Sequence, residues 1–194
     1  GGFNLIFRND GNVHFTDITV AVGLPTTEGF SVKGVGDVDQ DGDTDLMVTE
    51  NLGATPQIYL NDGAGHFAKK VGAISGAPGG TLTYASWGLG VVTDFDNDGL
   101  ADIVIAGKFY LQVLRGTGGG NFAYMDNAWG IRDTAAMSVD DGYAFGDIDR
   151  DGDLDLIGYR DTFPDRTIEG YRNDLAQKNF INISPIGLAG NIGA

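Results

Sequence analysis

Three short runs of alternating aspartates constrain this chain more than any other feature. They are Asp37-Val-Asp39-Gln-Asp41-Gly-Asp43-Thr-Asp45, Asp94-Phe-Asp96-Asn-Asp98-Gly-Leu100-Ala-Asp102 and Asp147-Ile-Asp149-Arg-Asp151-Gly-Asp153-Leu-Asp155. Positions 1, 3, 5 and 9 are aspartate in every copy, and position 6 is glycine. Four clustered carboxylates repel one another unless a cation lies among them. Calcium is the cation that fits: it is hard, takes six to eight oxygens, and accepts carboxylates and carbonyls alike. Side chains 1, 3, 5 and 9 turned inward, with the backbone carbonyl of position 7, form such a cage. Glycine at position 6 permits the sharp turn. The carbonyl role explains why position 7 is Asp43, Leu100 or Asp153 without loss of the pattern. Three calcium sites are expected.

An EF-hand is excluded by its own requirements. Its loop closes with a bidentate glutamate at position 12 and continues into a helix. Position 12 here is Val48, Ile105 or Gly158. The runs Leu46-Met47-Val48, Ile103-Val104-Ile105 and Leu156-Ile157-Gly158 are short and apolar, which predicts buried strands. The acidic loops therefore belong to β-hairpins.

Strand and turn signals recur around each loop. The first unit has strands around 30–36, 46–50 and 57–60, the turn Asn61-Asp62-Gly63-Ala64-Gly65, and a strand from His66. The second places Arg115-Gly116-Thr117-Gly118-Gly119-Gly120, and the third Arg172-Asn173-Asp174, at the later turn. An earlier half-unit has a strand over 3–8, the turn Asn9-Asp10-Gly11-Asn12 and a strand from Val13. The first aspartates lie at 37, 94 and 147, so the repeat is longer than fifty residues. Four-stranded units at that spacing predict an all-β chain of β-propeller blades, three whole and one partial, with the acidic loop in the first hairpin of each. The expected divisions are a partial blade and connection over 1–29, repeats over 30–83, 84–138 and 139–180, and a closing strand or truncated module over 181–194.

The segment from Asn61 to Phe67, together with the nine-residue aspartate loop before it, resembles the FG-GAP/VCBS repeats. Asn9 to Phe15 is a shorter version, whereas Gly118–Phe122 keeps only the glycines and the aromatic. The C-terminal Asn179-Phe180-Ile181-Asn182-Ile183, with Gly187 and Gly190–Ala194, resembles the start of the module that follows such repeats in the ASPIC/UnbV family. The resemblance implies calcium-binding propeller blades like those of the integrin α-subunit head, some lectins and certain polysaccharide lyases.

Composition agrees. Net charge is −15, and fourteen of the acidic residues are aspartates of the three loops. Three calcium ions would bring it to about −9. No basic stripe marks a nucleic-acid partner. Cysteine is absent, so calcium rather than disulfides would cross-link the chain. No apolar run reaches the roughly 18 residues a membrane helix needs. The chain opens with Gly1-Gly2 and starts mid-unit, as expected of a piece of a longer secreted protein.

The first and third hairpins of an up-and-down blade share one end, so the acidic loops and later turns are expected on one face. The opposite face carries the long connections over 72–83 and 127–141. Tyr84, Trp87, Trp129 and Arg132 are its ligand candidates. Loops on a rigid scaffold concentrate recognition residues, and aromatics there stack on sugars or anchor proteins. Packing favours instead a reading in which Trp87 and Trp129 wedge between blades as core. His14 and His66 occupy equivalent exposed turn positions. No nucleophile elbow, zinc motif or phosphate loop occurs, and the aspartate spacing is explained by calcium, so no enzyme is expected. The sequence points to a secreted calcium-binding module for extracellular recognition or adhesion, with a glycan or surface protein as partner. A self-assembling domain completed through open blade edges is the alternative, and a lyase or hydrolase fragment a weaker one.

Overall fold

The computed structural model describes residues 5–25, 30–50, 56–76, 89–107, 110–125, 143–162 and 165–174. These residues hold fourteen strands and no helix. A two-stranded hairpin, β1 (Phe7–Gly11) with β2 (His14–Asp17), comes first. It starts later than the alternation over 3–8 suggests and turns at Asn12 and Val13, with a bulge between Asn9 and Gly11. The first acidic loop joins β3 (Phe30–Gly36) to β4 (Asp45–Glu50). An antiparallel meander continues through β5 (Pro56–Asn61) and β6 (Phe67–Lys70). After β7 (Ile74–Ser75), the second meander is β8 (Leu89–Thr93), β9 (Asp102–Gly107), β10 (Tyr110–Gly118) and β11 (Asn121–Met125). The third sheet contains β12 (Tyr143–Gly146), β13 (Asp155–Thr162) and β14 (Asp165–Tyr171).

The apolar triplet after each loop is buried because its strand is sandwiched on both sides. Leu46 and Val48 pack with Val22, Leu24 and Tyr59, on the side of the first hairpin. Met47 points the other way and joins Val38 and Ile58 against Ile103, Ile105, Leu114 and Phe122 of the second sheet. Val104 in turn faces Phe95, Val113 and Leu156, with Phe145 and Tyr171 of the third sheet around them. The strand period of two sends alternate residues to opposite neighbours. The three sheets therefore stack like successive blades. The described residues form an open row of them and no closed ring.

Two close approaches fix that stacking. A methyl group on Gly34 of β3 would lie 2.7 Å from the carbonyl oxygen of Gly90 in β8. One on Gly36 would lie 2.6 Å from the Val92 side chain. At Gly34 and Gly90, β3 and β8 meet backbone to backbone, which only glycine permits.

The segment after β6 is not simply a loop. Ile74 and Ser75 pair in parallel with Phe122 and Ala123, so β7 is a fifth strand on the second sheet. Phe122 N donates to Ala73 O at 2.7 Å, and Phe67 N donates to Val22 O at 2.8 Å in the corresponding place one unit earlier. The expected connection over 72–83 thus begins as a strand, because the edge of β11 offers unpaired backbone groups that recruit it.

Candidate metal centre

Each acidic loop is built on its first and ninth aspartates. In the first, Asp37 Oδ1 accepts the N–H of Gln40 at 2.8 Å and Asp37 Oδ2 that of Gly42 at 3.0 Å. In the second, Asp94 accepts Asp98 N at 3.1 Å and Gly99 N at 2.9 Å; in the third, Asp147 accepts Asp151 N at 3.0 Å and Gly152 N at 3.1 Å. The fold of the loop demands left-handed backbone twice. Gly42, Gly99 and Gly152 have φ of 95°, 88° and 97°, and Gln40, Asn97 and Arg150 at position 4 have φ of 67°, 57° and 66°. Glycine meets the first demand freely; position 4 meets the second at a cost.

The ninth aspartates, Asp45, Asp102 and Asp155, are fully buried. One oxygen of each accepts the N–H of loop position 2: Val38 at 2.9 Å, Phe95 at 2.9 Å, Ile148 at 2.7 Å. The other accepts an N–H from the end of the third strand: Asn61 at 2.8 Å, Gly116 at 2.7 Å, Asn173 at 2.8 Å. These carboxylates fasten the first hairpin to the third strand. The later turn consequently meets the loop, and a methyl on Gly63 would lie 2.6 Å from Asp43 Oδ2.

Carboxylate oxygens converge in each loop. One oxygen each from Asp37, Asp39 and Asp41 lies within 4.8 Å of the others, and so do sets from Asp94, Asp96 and Asp102, from Asp147, Asp149 and Asp155, and from Asp149, Asp151 and Asp174. Burial, then the charges of Asp41 and Asp37, raise the Asp39 carboxyl above its ordinary range. Burial likewise raises Asp45, Asp94 and Asp149, and it lifts Asp102 to about 6 against the N–H groups of Gly116 and Phe95. Asp39 Oδ1 is buried and has no hydrogen-bond partner. Such an oxygen is costly to leave bare, and a cation would satisfy it. In the second loop a cation is present. Arg115 Nε lies 2.6 Å from Asp96 Oδ2, and a terminal guanidinium nitrogen lies 2.8 Å from Asp98 Oδ2. Both observations fit an oxygen-only site for a hard cation. Carboxylates 1, 3, 5 and 9 and the position-7 carbonyl would hold it.

At position 7, the Asp153 side chain is fully buried and accepts Asn97 Nδ2 at 2.6 Å, so it binds the preceding loop. Leu100 lies beside Gly116 and Gly118. Position 4 of the first loop does the same as Asn97: Gln40 Nε2 donates to Gly99 O of the second. Successive loops are linked through position 4.

Residues 94–158 match the FG-GAP-like repeat. The matched stretch runs from the second acidic loop through the third and into β13. Among curated proteins no match was found. A solved structure of an Agrocybe aegerita lectin, described as specifically recognising non-reducing terminal N-acetylglucosamine, is 22% identical with a TM-score of 0.50. The likeness covers 89% of this chain and 47% of that one, so the chain spans about half the length of the lectin. It is a likeness of fold.

Sequence reasoning missed Arg115, Arg172 and Asp174 as parts of the acidic sites. The signal was an arginine at the same place before the later turn in two of three units. His14 and His66 are exposed, each beside an aspartate four residues away, at 3.4 Å from Asp10 and 3.1 Å from Asp62. Tyr84, Trp87, Trp129 and Arg132 lie outside the described residues, as does the segment compared with the ASPIC/UnbV module. Among the described residues, no helix is long and apolar enough to cross a membrane.

Proposed function

We propose that this chain is a calcium-binding FG-GAP/VCBS recognition module of β-propeller blades that works outside the cell as a non-catalytic binder of glycans. The observation that carries the calcium reading is the threefold loop with its converging carboxylates and the bare, buried Asp39 Oδ1. Calcium would hold each first hairpin at the geometry on which the neighbouring turns rest, and the abundance of calcium outside cells suits oxygen cages of this kind. The glycan reading is supported by the lectin of similar fold, which makes terminal N-acetylglucosamine the first ligand to test. Tyr84, Trp87, Trp129 and Arg132, the ligand candidates of the sequence, remain its contacts to test.

The test is binding to a broad glycan array in millimolar calcium and again after metal removal. Calcium-dependent binding to one sugar class, lost in Trp129→Ala with an unchanged melting curve, is the expected result. A blank array from folded protein refutes the glycan partner.

A second reading, self-assembly, is favoured by one observation. Ile157 and Ile168 share the face of the third sheet that looks away from the second, and they are 38% and 78% exposed. The corresponding Met47 and Val104 are covered by the next sheet. A monomeric mass in calcium, measured by light scattering at high concentration, would refute assembly through that face.

A further inference from the structure

The three acidic loops are not equivalent, and the difference lies in one side chain outside them. The N–H groups of Asn61, Gly116 and Asn173 make the same bond to the ninth aspartate, which aligns the three units residue by residue. The residue just before is Leu60, Arg115 or Arg172, and the residue just after is Asp62, Thr117 or Asp174. In the first unit no cation reaches the loop from this position, and Asp39 Oδ1 stays bare. In the third, Arg172 is held chiefly by Asp174, with Nε at 2.7 Å and a second nitrogen at 2.8 Å, and stands 3.8 Å from Asp149, with Asp174 itself close to Asp149 and Asp151. In the second, Thr117 supplies no such acid. Arg115 instead lies on Asp96 and Asp98, the third and fifth positions of its loop, at 2.6 and 2.8 Å.

We infer that Arg115 is a built-in counter-cation of the second loop, which grades the three calcium sites: the first is tightest and the second weakest. This rests on the calcium reading above. A guanidinium fork held by two carboxylates forms strong charge-assisted bonds. A metal ion entering the loop must take Asp96 and Asp98 from Arg115 or bind beside its positive charge, and either weakens binding. The second hairpin thus keeps its carboxylates partly neutralised without metal, and it fills last as calcium rises. Its filling releases an arginine at the end of β10, beside the later turn. The second loop therefore responds to a calcium range in which the first is already saturated.

The experiment is calorimetric titration of the metal-stripped chain with calcium, alongside Arg115→Leu, which copies the first unit, and Thr117→Asp, which copies the third. Wild type is expected to show one dissociation constant at least tenfold weaker than the tightest. Arg115→Leu is expected to tighten that weakest step by tenfold or more, about 1.4 kcal/mol, and leave the others unchanged. Thr117→Asp should shift the same step in the same direction by drawing the arginine away, and it keeps the test open if the leucine variant does not fold. Weakest constants unchanged in both variants overturn the proposal while leaving calcium binding intact. No calcium binding in wild type or variants overturns the proposal and the calcium reading together.

Discussion

The metal-stripped protein should lose stability as pH rises from 4.5 to 7, and Asp102 supplies the largest resolved part of that loss. Its carboxyl is fully buried between the loop and the third strand. It titrates at about 6 in the fold against 3.8 when free. Between those values the folded state holds a proton that the unfolded state has given up, so unfolding becomes easier with each step upward in pH. From pH 4.5 upward about one and a half pKa units of that difference remain, which at 1.36 kcal/mol each amounts to roughly 2 kcal/mol by pH 7. With an m-value of about 2 kcal/mol/M, the urea midpoint falls by roughly 1 M. Asp39, Asp45 and Asp94 are raised by burial and act in the same direction. Asp10, Asp17 and Asp62 are lowered by hydrogen bonds from neighbours, and their opposite contribution falls below this pH window. Calcium inverts the trend, because a bound divalent ion favours the charged carboxylates. The assay is urea denaturation of resin-stripped protein at pH 4.5, 5.5 and 7, with and without calcium, for wild type and Asp102→Asn. The variant should lose about 2 kcal/mol of the pH dependence. A wild-type midpoint that is flat or rising after stripping, or an Asp102→Asn variant with the full change, refutes the reasoning.

Two further outcomes follow from the packing and the links between loops. Gly34→Ala forces a methyl to within 2.7 Å of the Gly90 carbonyl; overpacking there should cost about 2 kcal/mol and lower the melting temperature by roughly 6 °C, and an unchanged melt would show that the sheets separate freely. Asn97→Ala removes the bond to buried Asp153 and leaves a side chain at φ 57°, together about 3 kcal/mol; Asn97→Gly should cost about 1 kcal/mol less because it keeps the turn, and equal losses would mean the backbone contributes nothing.

The legible part of this molecule was the part written in short-range pattern. The acidic loops could be read because an oxygen cage needs particular side chains at fixed spacing. The strands after them could be read because apolar triplets such as Ile103-Val104-Ile105 are covered on both faces. The ninth aspartates carried a second meaning that spacing does not show. Their bonds to Asn61, Gly116 and Asn173 join residues fourteen or more positions apart, and any polar or glycine residue with a free N–H serves. Left-handed backbone at Gln40 and Arg150 was equally hidden, since neither residue type favours it. The short strand at Ile74–Ser75 has no pattern of its own, being imposed by the edge of β11.

The backbone bonds from Phe67 to Val22 and from Phe122 to Ala73 carry a consequence for how such a chain can change length. Both of these outer strands, β6 and β11, are finished by residues belonging to the preceding stretch of sequence, and Gln40 and Asn97 reach forward from one loop to the next. The covalent period and the folded period are out of phase. A gene duplication or an engineered graft cut at the edges of one sheet would deliver a blade without its trimming strand and a loop without its forward tie. A cut from loop to loop, the frame of the matched segment at 94–158, carries the tie between two loops intact. The exchangeable part of this architecture is the seam between blades, with half a blade on either side.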